Sequence, residues 1–312
     1  MTNRRNFIRQ GSLAAASFLV AHPVLYARDT TTRSRKLTIL HTNDVHSRLD
    51  PFPAEAGANA GKGGVAARAI RIAEVRAKEE QVLLLDSGDI FQGTPYFNMF
   101  KGEPEIKAMQ MMGYEAATMG NHDFDAGLEN FADQLSRHAK FPLVICNYEF
   151  TGTAMESLHK PYVIFQKGDL RIGVTGLGIA LDGLVADTLT GGTKYLDPVT
   201  NLNRVADELK RRKKCDMVIC LSHLGDVYQD NRISDEKLAK QSEHVDLILG
   251  GHTHRFFEKP RVYANVSGKT VIVNQAGWAG IVVGRLDFDL ASSDGDKLKE
   301  GTAIVVEKRE GE

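Results

Sequence analysis

The segment GNHDFD, residues 120–125, places Asn121, His122, Asp123 and Asp125 directly after a stretch that reads as a buried strand. Four other strand-like stretches end in the same way. KLTILHTN runs into Asp44 and His46, QVLLLDSG into Asp89, MVICLS into His223, and VDLILGG into His252 and His254. In open α/β sheets ligands bind in the crevice beyond the carboxyl ends of the strands, so groups as distant in sequence as Asp44 and His254 can meet there. Asp, His and Asn without cysteine suit borderline-to-hard divalent metals such as Mn, Fe, Zn or Co. Asp44 and His46, like His252 and His254, are spaced i, i+2. On an extended segment that spacing projects both side chains the same way, able to reach neighbouring ions. A carboxylate such as Asp89 has two oxygens and can bridge two ions. Two metals about 3.5–4 Å apart clamp an in-line displacement at phosphorus.

The elements that must position these residues alternate along the chain. KLTILHT reads as a strand and VAARAIRIAEVRAKEE as an amphipathic helix. QVLLLDSG is a second buried strand, EPEIKAMQMMG a helix stopped by Gly113, AATMG a third strand, LENFADQLSRHA a helix and FPLVICNY a fourth strand. YVIFQKGDLRIGVTGLG predicts a hairpin turning at Lys167, Gly168 and Asp169. A helix over NLNRVADELKRRKK, a strand over CDMVICLSH, a short helix over SDEKLAKQS and a strand over VDLILGG follow. TVIVNQAG, GIVVGRLDFDL and TAIVVEK read as closing strands. This order implies an α/β protein of mixed sheets with helices packed outside, in one domain over 36–312.

In sequence order, TNDVH, GDIFQGT, GNHDFD, LSHLG and GGHTH resemble the calcineurin-like metallophosphoesterase superfamily, and within it the catalytic domain of the 5′-nucleotidase family. NQAGWAGIVVGRL (274–286) resembles that family's stretch after the last metal motif. Any one motif alone is a weak signal, whereas five in order are specific. The resemblance implies a four-layer α/β/β/α sandwich and a site for two divalent metal ions. It assigns Asp44, His46 and His254 to one ion and Asn121, His223 and His252 to the other, with Asp89 bridging. His122 matches the family's catalytic histidine, which is not a ligand, and Asp125 its partner acid. The residue chemistry agrees. Asn121 offers a neutral carbonyl oxygen, and a hydroxide held between two dications is a strong nucleophile near neutral pH. His122 as an imidazolium can stabilise phosphoryl charge or protonate a leaving alkoxide. Asp125 can orient the ring and keep it protonated.

Members of that family commonly carry a second, C-terminal domain that grips the base and sugar of a nucleotide. This sequence shows no candidate for the aromatic pair or phosphate-binding arginines which that domain supplies. The resemblance implies a small-molecule phosphate ester as substrate, a nucleotide above all, with a separate chain carrying the nucleotide-binding domain as one alternative. A 2′,3′-cyclic nucleotide phosphodiesterase, a nucleotide-sugar diphosphatase or a thiosulfohydrolase-like enzyme would use similar groups. A non-catalytic metal-binding subunit of a two-chain nucleotidase is the rival class, and it has no use for a His122–Asp125 pair.

The first 27 residues differ from the rest. Arg4 and Arg5 precede Phe7 and the apolar run GSLAAASFLVAHPVLYA, which holds no acid and is broken by His22 and Pro23. The run is too short and too broken for a stable membrane span. A basic start, a short apolar stretch and Ala27 read as a removable twin-arginine export signal over 1–27, followed by a linker over 28–35 and delivery to the periplasm or medium. A net charge of −1 does not point to a nucleic-acid polymer as partner. Cys146, Cys215 and Cys220 are too few for a disulfide framework and read as small core residues. Asn147 follows a strand and is a candidate for lining the substrate site. His41 reads as a core residue or one supporting the ligands, Asp86 and Asp123 as turn residues, and Trp278 as a packing residue or a shield.

Overall fold

Val-, Ile- and Leu-rich runs bounded by turn residues form the strands. The computed structural model describes residues 35–292 and 297–307, so the export signal expected over 1–27 and nearly all of the linker expected over 28–35 lie outside the described residues. The first strands are β1 (Lys36–Thr42), β2 (Val82–Asp86), β3 (Ala116–Ala117), β4 (Leu143–Val144) and β5 (Tyr148–Glu149). Next come β6 (His159–Lys160), β7 (Tyr162–Lys167), β8 (Leu170–Leu177), β9 (Lys194–Tyr195) and β10 (Met217–Ser222). The last are β11 (Leu247–Leu249), β12 (Arg261–Ala264), β13 (Thr270–Asn274), β14 (Val282–Asp289) and β15 (Leu298–Val305). The helices are α1 (Val65–Arg76), α2 (Pro95–Phe100), α3 (Glu103–Met112), α4 (Leu128–His138), α5 (Pro198–Asp207) and α6 (Asp235–Gln241).

Two mixed sheets result, ordered β15-β14-β1-β2-β3-β4-β6 and β12-β13-β11-β10-β8-β7. In the first sheet β1, β2, β3, β4 and β6 pair in parallel and β14 and β15 add antiparallel pairings at one side, whereas in the second the parallel pairings from β13 to β8 are flanked by antiparallel β12 and β7. Side chains alternate across β1, where Leu37 and Ile39 face one way and Leu40 the other. Leu37, Ile39, Leu83 and Leu85 of the first sheet pack with Ile172, Val174, Ile219 and Leu247 of the second. Leu40 and Leu84 pack with Ile72 and Val75 of α1, Ile106 and Met109 of α3 and Phe131 of α4. On the far side, Val218, Cys220 and Ile248 pack with Leu202 and Val205 of α5 and Leu238 of α6. These three apolar layers make the expected α/β/β/α sandwich, with all three cysteines buried and free.

Local punctuation follows the sequence. Gly113 ends α3 with φ 73°, and the β7–β8 hairpin turns at Gly168 with φ 55°. The strand read over AATMG is shorter, because β3 leaves the ladder after Ala117 and the following loop takes other backbone partners, described below. The six-residue α2 is too short to show an apolar period and was not expected. Among the described residues, no helix is long and apolar enough to cross a membrane.

Candidate metal centre

Because β1, β2 and β3 run parallel in one sheet, and β10 and β11 in the other, their carboxyl ends open on the same side. Asp44 and His46 follow β1, Asp89 follows β2, Asn121 follows β3, His223 follows β10, and His252 and His254 follow β11. Their side chains form two groups, Asp44–His46–His254 and Asp89–His223–His252, each with its potential ligand atoms within 4.8 Å of one another. Asn121 joins the second group, its Oδ1 lying 2.9 Å from His252 Nδ1. Each carboxylate also reaches the other group. Asp89 Oδ2 lies 3.0 Å from His223 Nε2 and 3.8 Å from His46 Nε2. Asp44 Oδ1 lies 3.4 Å from His254 Nε2 and 3.8 Å from His223 Nε2.

The donor set fits divalent cations. His46 Nδ1–H donates to Phe91 O at 3.2 Å and His223 Nδ1–H to Ser87 O at 2.7 Å. Each bond fixes the tautomer that turns an Nε2 lone pair towards the centre. His223 Nε2 is buried and has no hydrogen-bond partner, despite the nearby Asp89 carboxylate. A cation between them would satisfy both. His46 and His254 bring their Nε2 atoms within 3.0 Å, close to the separation of two imidazoles that share one ion at about 2.1 Å.

The side chains alone set strong opposing fields. Burial resists charge on His223, but Asp89 and Asp44 outweigh it and raise its pKa to about 10. Burial and the His223 charge press His252 down to about 4. Burial also works against the Asp89 carboxylate, yet His223 and His46 hold its pKa well below the usual range. A bound cation overrides this pattern, since ligand nitrogens must be unprotonated.

The i, i+2 pairs do reach one centre, but not on extended backbone. Asp44, His46, Asp89, His252 and His254 all adopt left-handed conformations, with φ between 51° and 67°. Each costs on the order of 1 kcal/mol for a non-glycine residue, although Asp and His tolerate the region better than most. Main-chain bonds hold the turns, with Asp44 N donating to Gly88 O and His46 N to Asp89 O. The Asp44 carboxylate accepts from His252 N at 3.0 Å and from Asn43 Nδ2 at 2.6 Å. Asn43 also donates to Gly277 O and accepts from Ala276 N, tying the 274–286 stretch to the site. Gly120 is required for space rather than for turning: a Cβ there would collide with Asp89 Oδ1 and His223 Nε2.

His122 sits beside the second group, its backbone N–H donating to Asp89 Oδ1 at 2.8 Å. Its Nδ1 lies 2.9 Å from Asp125 Oδ2, and that hydrogen bond is the chief reason its pKa is raised. The ring borders a hollow of about 200 Å³ with His46, His254, Arg48, Gln92 and Trp278. A larger crevice, about 760 Å³, lies at the opposite strand ends beside Met217, Thr270 and Phe288 and holds none of these groups.

Two positions depart from their sequence reading. Asn147 does not line the hollow. It is fully buried, donating from Nδ2 to Gly178 O and accepting from Gly178 N, both at 2.8 Å, so its amide bridges two loops. Asp123 is more than a turn residue, because its carboxylate accepts from the backbone N–H groups of Gly120, Asp89, Ile90 and Phe91. It welds the β2 and β3 tips together. The only sequence signal was a second acid inside GNHDFD. His41 is a core residue, bonded to Asn274 and pushed by burial to a pKa of about 3. Asp86 ties Thr42 and Gly88, as a turn residue should.

Comparison with known proteins gives a consistent picture. Residues 37–256 match the calcineurin-like phosphoesterase family. The chain is 37% identical over 295 residues to the snake venom 5′-nucleotidase of Crotalus adamanteus, covering 88% of this chain and 49% of that protein. It is 32% identical over 294 residues to the 5′-nucleotidase of Bos taurus, covering 88% of this chain and 50% of that one. The crystal structure of a 5′-nucleotidase precursor from Thermus thermophilus superimposes with a TM-score of 0.75 at 32% identity, covering 87% of this chain and 55% of that chain. This chain therefore spans about half the length of the curated relatives it matches.

Proposed function

The chain belongs to the calcineurin-like phosphoesterase family, and from that premise we propose that it is a dinuclear-metal phosphohydrolase acting on phosphate monoesters, nucleotides among them. One observation carries the reading: two ligand groups that share Asp44 and Asp89 meet beside a His–Asp pair at an open hollow. Asp44, His46 and His254 would hold one ion, Asn121, His223 and His252 the other, and Asp89 would bridge them. When bound, such ions neutralise phosphoryl charge and make water a nucleophile near neutral pH.

The chain's own groups do the remaining work. Asp125 holds the His122 ring through Nδ1, which leaves Nε2 to face the hollow and donate a proton to a phosphoryl or leaving oxygen. The Asp125 hydrogen bond favours the protonated ring. Main-chain bonds to Asp123 fix the loops that carry Asp89 and His122, so neither needs to reorganise during the reaction.

The resemblance of residues 1–27 to a twin-arginine signal supports export, and intact-mass analysis of secreted protein would test cleavage near Ala27. No described feature supports a separate nucleotide-binding chain. The activity itself is tested by offering the metal-reconstituted protein a panel of nucleoside monophosphates, cyclic nucleotides, nucleotide sugars and aryl phosphates. Hydrolysis of monoesters is the expected result. No turnover on any ester with metal bound would favour the non-catalytic reading.

A further inference from the structure

Arg48 borders the hollow and is the one permanent cation among the described residues that line it. Its guanidinium carbon lies 4.1 Å above the centroid of the Phe52 ring. Phe52 meets Trp278 edge-on at 5.7 Å, and Trp278 stacks on His254 with 8° between the planes. Arg48 is thus braced by an aromatic ladder that ends on a candidate metal ligand. It makes no ion pair among the described residues, and its Nε is buried without a hydrogen-bond partner. Burial weakens its hold on the proton, although the nearby Asp50 offsets this and an arginine stays charged regardless. A partly desolvated guanidinium without an ion-pair partner is costly unless it has an anion to meet. The acids around the site are otherwise engaged, Asp44 and Asp89 with the ligand histidines and Asp125 with His122.

We propose that Arg48 is a phosphate-binding residue, its guanidinium fork holding non-bridging oxygens of the substrate's phosphoryl group against the His122 wall of the hollow. The inference rests on the phosphoesterase reading and deepens it. A planar fork matches two phosphate oxygens in a way that a lysine ammonium cannot. Stacking on Phe52 leaves the guanidinium edge to donate, at small entropic cost. Gln92, on the same wall and held at φ 70°, adds a neutral amide next to it.

The test compares wild type with Arg48→Ala, Arg48→Gln and Arg48→Lys in the metal-loaded protein. Orthophosphate binding is measured by calorimetry, and KM and kcat are measured on p-nitrophenyl phosphate. Loss of a charge-assisted pair should weaken orthophosphate binding about 10- to 100-fold in the Ala and Gln variants. KM should rise by a similar factor and by more than kcat falls, with metal content retained. Lys should restore part of the affinity. Arg48→Gln keeps much of the side-chain length and a polar end without the charge, so it remains informative if Arg48→Ala fails to fold. Orthophosphate affinity within twofold of wild type in the Gln variant would overturn the proposal, as would a wild type that binds no orthophosphate. Arg48-dependent phosphate binding without hydrolysis of any ester would leave Arg48 standing and remove the enzymatic reading instead.

Discussion

Both candidate ligand groups bury two of their three members, Asp44 and His46 in one and Asp89 and His223 in the other, and they differ in depth at the third, His254 being exposed and His252 half-buried. Asp89 and His223 lie beneath the surface, with side chains 2% and 0% exposed, whereas His254 of the other group is 40% exposed and His46 9%. The deep histidine is locked by its Nδ1–H to Ser87 O, and the turn at Asp89 is locked by Asp123. The shallow His254 is held by a stack on Trp278, a softer restraint than a hydrogen bond to main chain. Asp89 and His223 are thus part of the core, and neither can be removed without leaving the other as a buried charge. His46 and His254 of the other group line the hollow, where a substrate must enter. Asp89 and His223 support the fold as well as the candidate site, whereas the exposed His254 supports the site alone.

The largest effect should come from a residue that holds no metal. His122→Ala is expected to reduce kcat on a monoester about 10²- to 10⁴-fold while metal content and melting temperature stay at wild-type values. Unchanged turnover would place the proton chemistry elsewhere. The difference in depth is sharpened by a pair of variants examined after chelation, so that metal binding does not enter the comparison. His223→Ala should lose about 3 kcal/mol of stability in urea, since it deprives the buried Asp89 carboxylate of its nearest cation. His254→Ala should lie within about 0.5 kcal/mol of wild type, as surface changes usually do. Equal losses would break the comparison. The smallest effect on catalysis is expected at Asn147. Asn147→Ala should cost about 1–3 kcal/mol of stability by orphaning the Gly178 amide and carbonyl, with KM unchanged. A KM effect without loss of stability would return Asn147 to the substrate site.

Much of this candidate centre was legible in the sequence because strand ends advertise themselves. An apolar run that stops at Asp, His or Asn picks out a candidate ligand without any knowledge of the partner strand. Asp44, His46, Asp89, Asn121, His223, His252 and His254 all stand at such ends. Mixed sheets with helices outside followed from the order of elements, the four layers from the family resemblance, and the two helix-covered sheets are as expected. What escaped depended on partners distant in sequence. Asn147 reads as a polar residue after a strand, and only the fold reveals that Gly178 consumes its amide. Asp123 reads as a turn residue, and only the meeting of the β2 and β3 tips gives it four N–H groups. The left-handed backbone at the ligands was also invisible, because neither Asp nor His is a residue that demands it. The spacing of two had suggested a strand, whereas tight turns satisfy the same spacing.

The central claim is that two metal sites of unequal depth share Asp89. Metal content of the purified, reconstituted protein, measured by inductively coupled plasma mass spectrometry beside His254→Ala and Asp89→Ala, tests it most directly. The account predicts about two ions per chain for wild type, about one for His254→Ala with the deep site still filled, and fewer than one for Asp89→Ala, whose loss removes the bridge. A single ion in wild type, or two ions retained in Asp89→Ala, would contradict it.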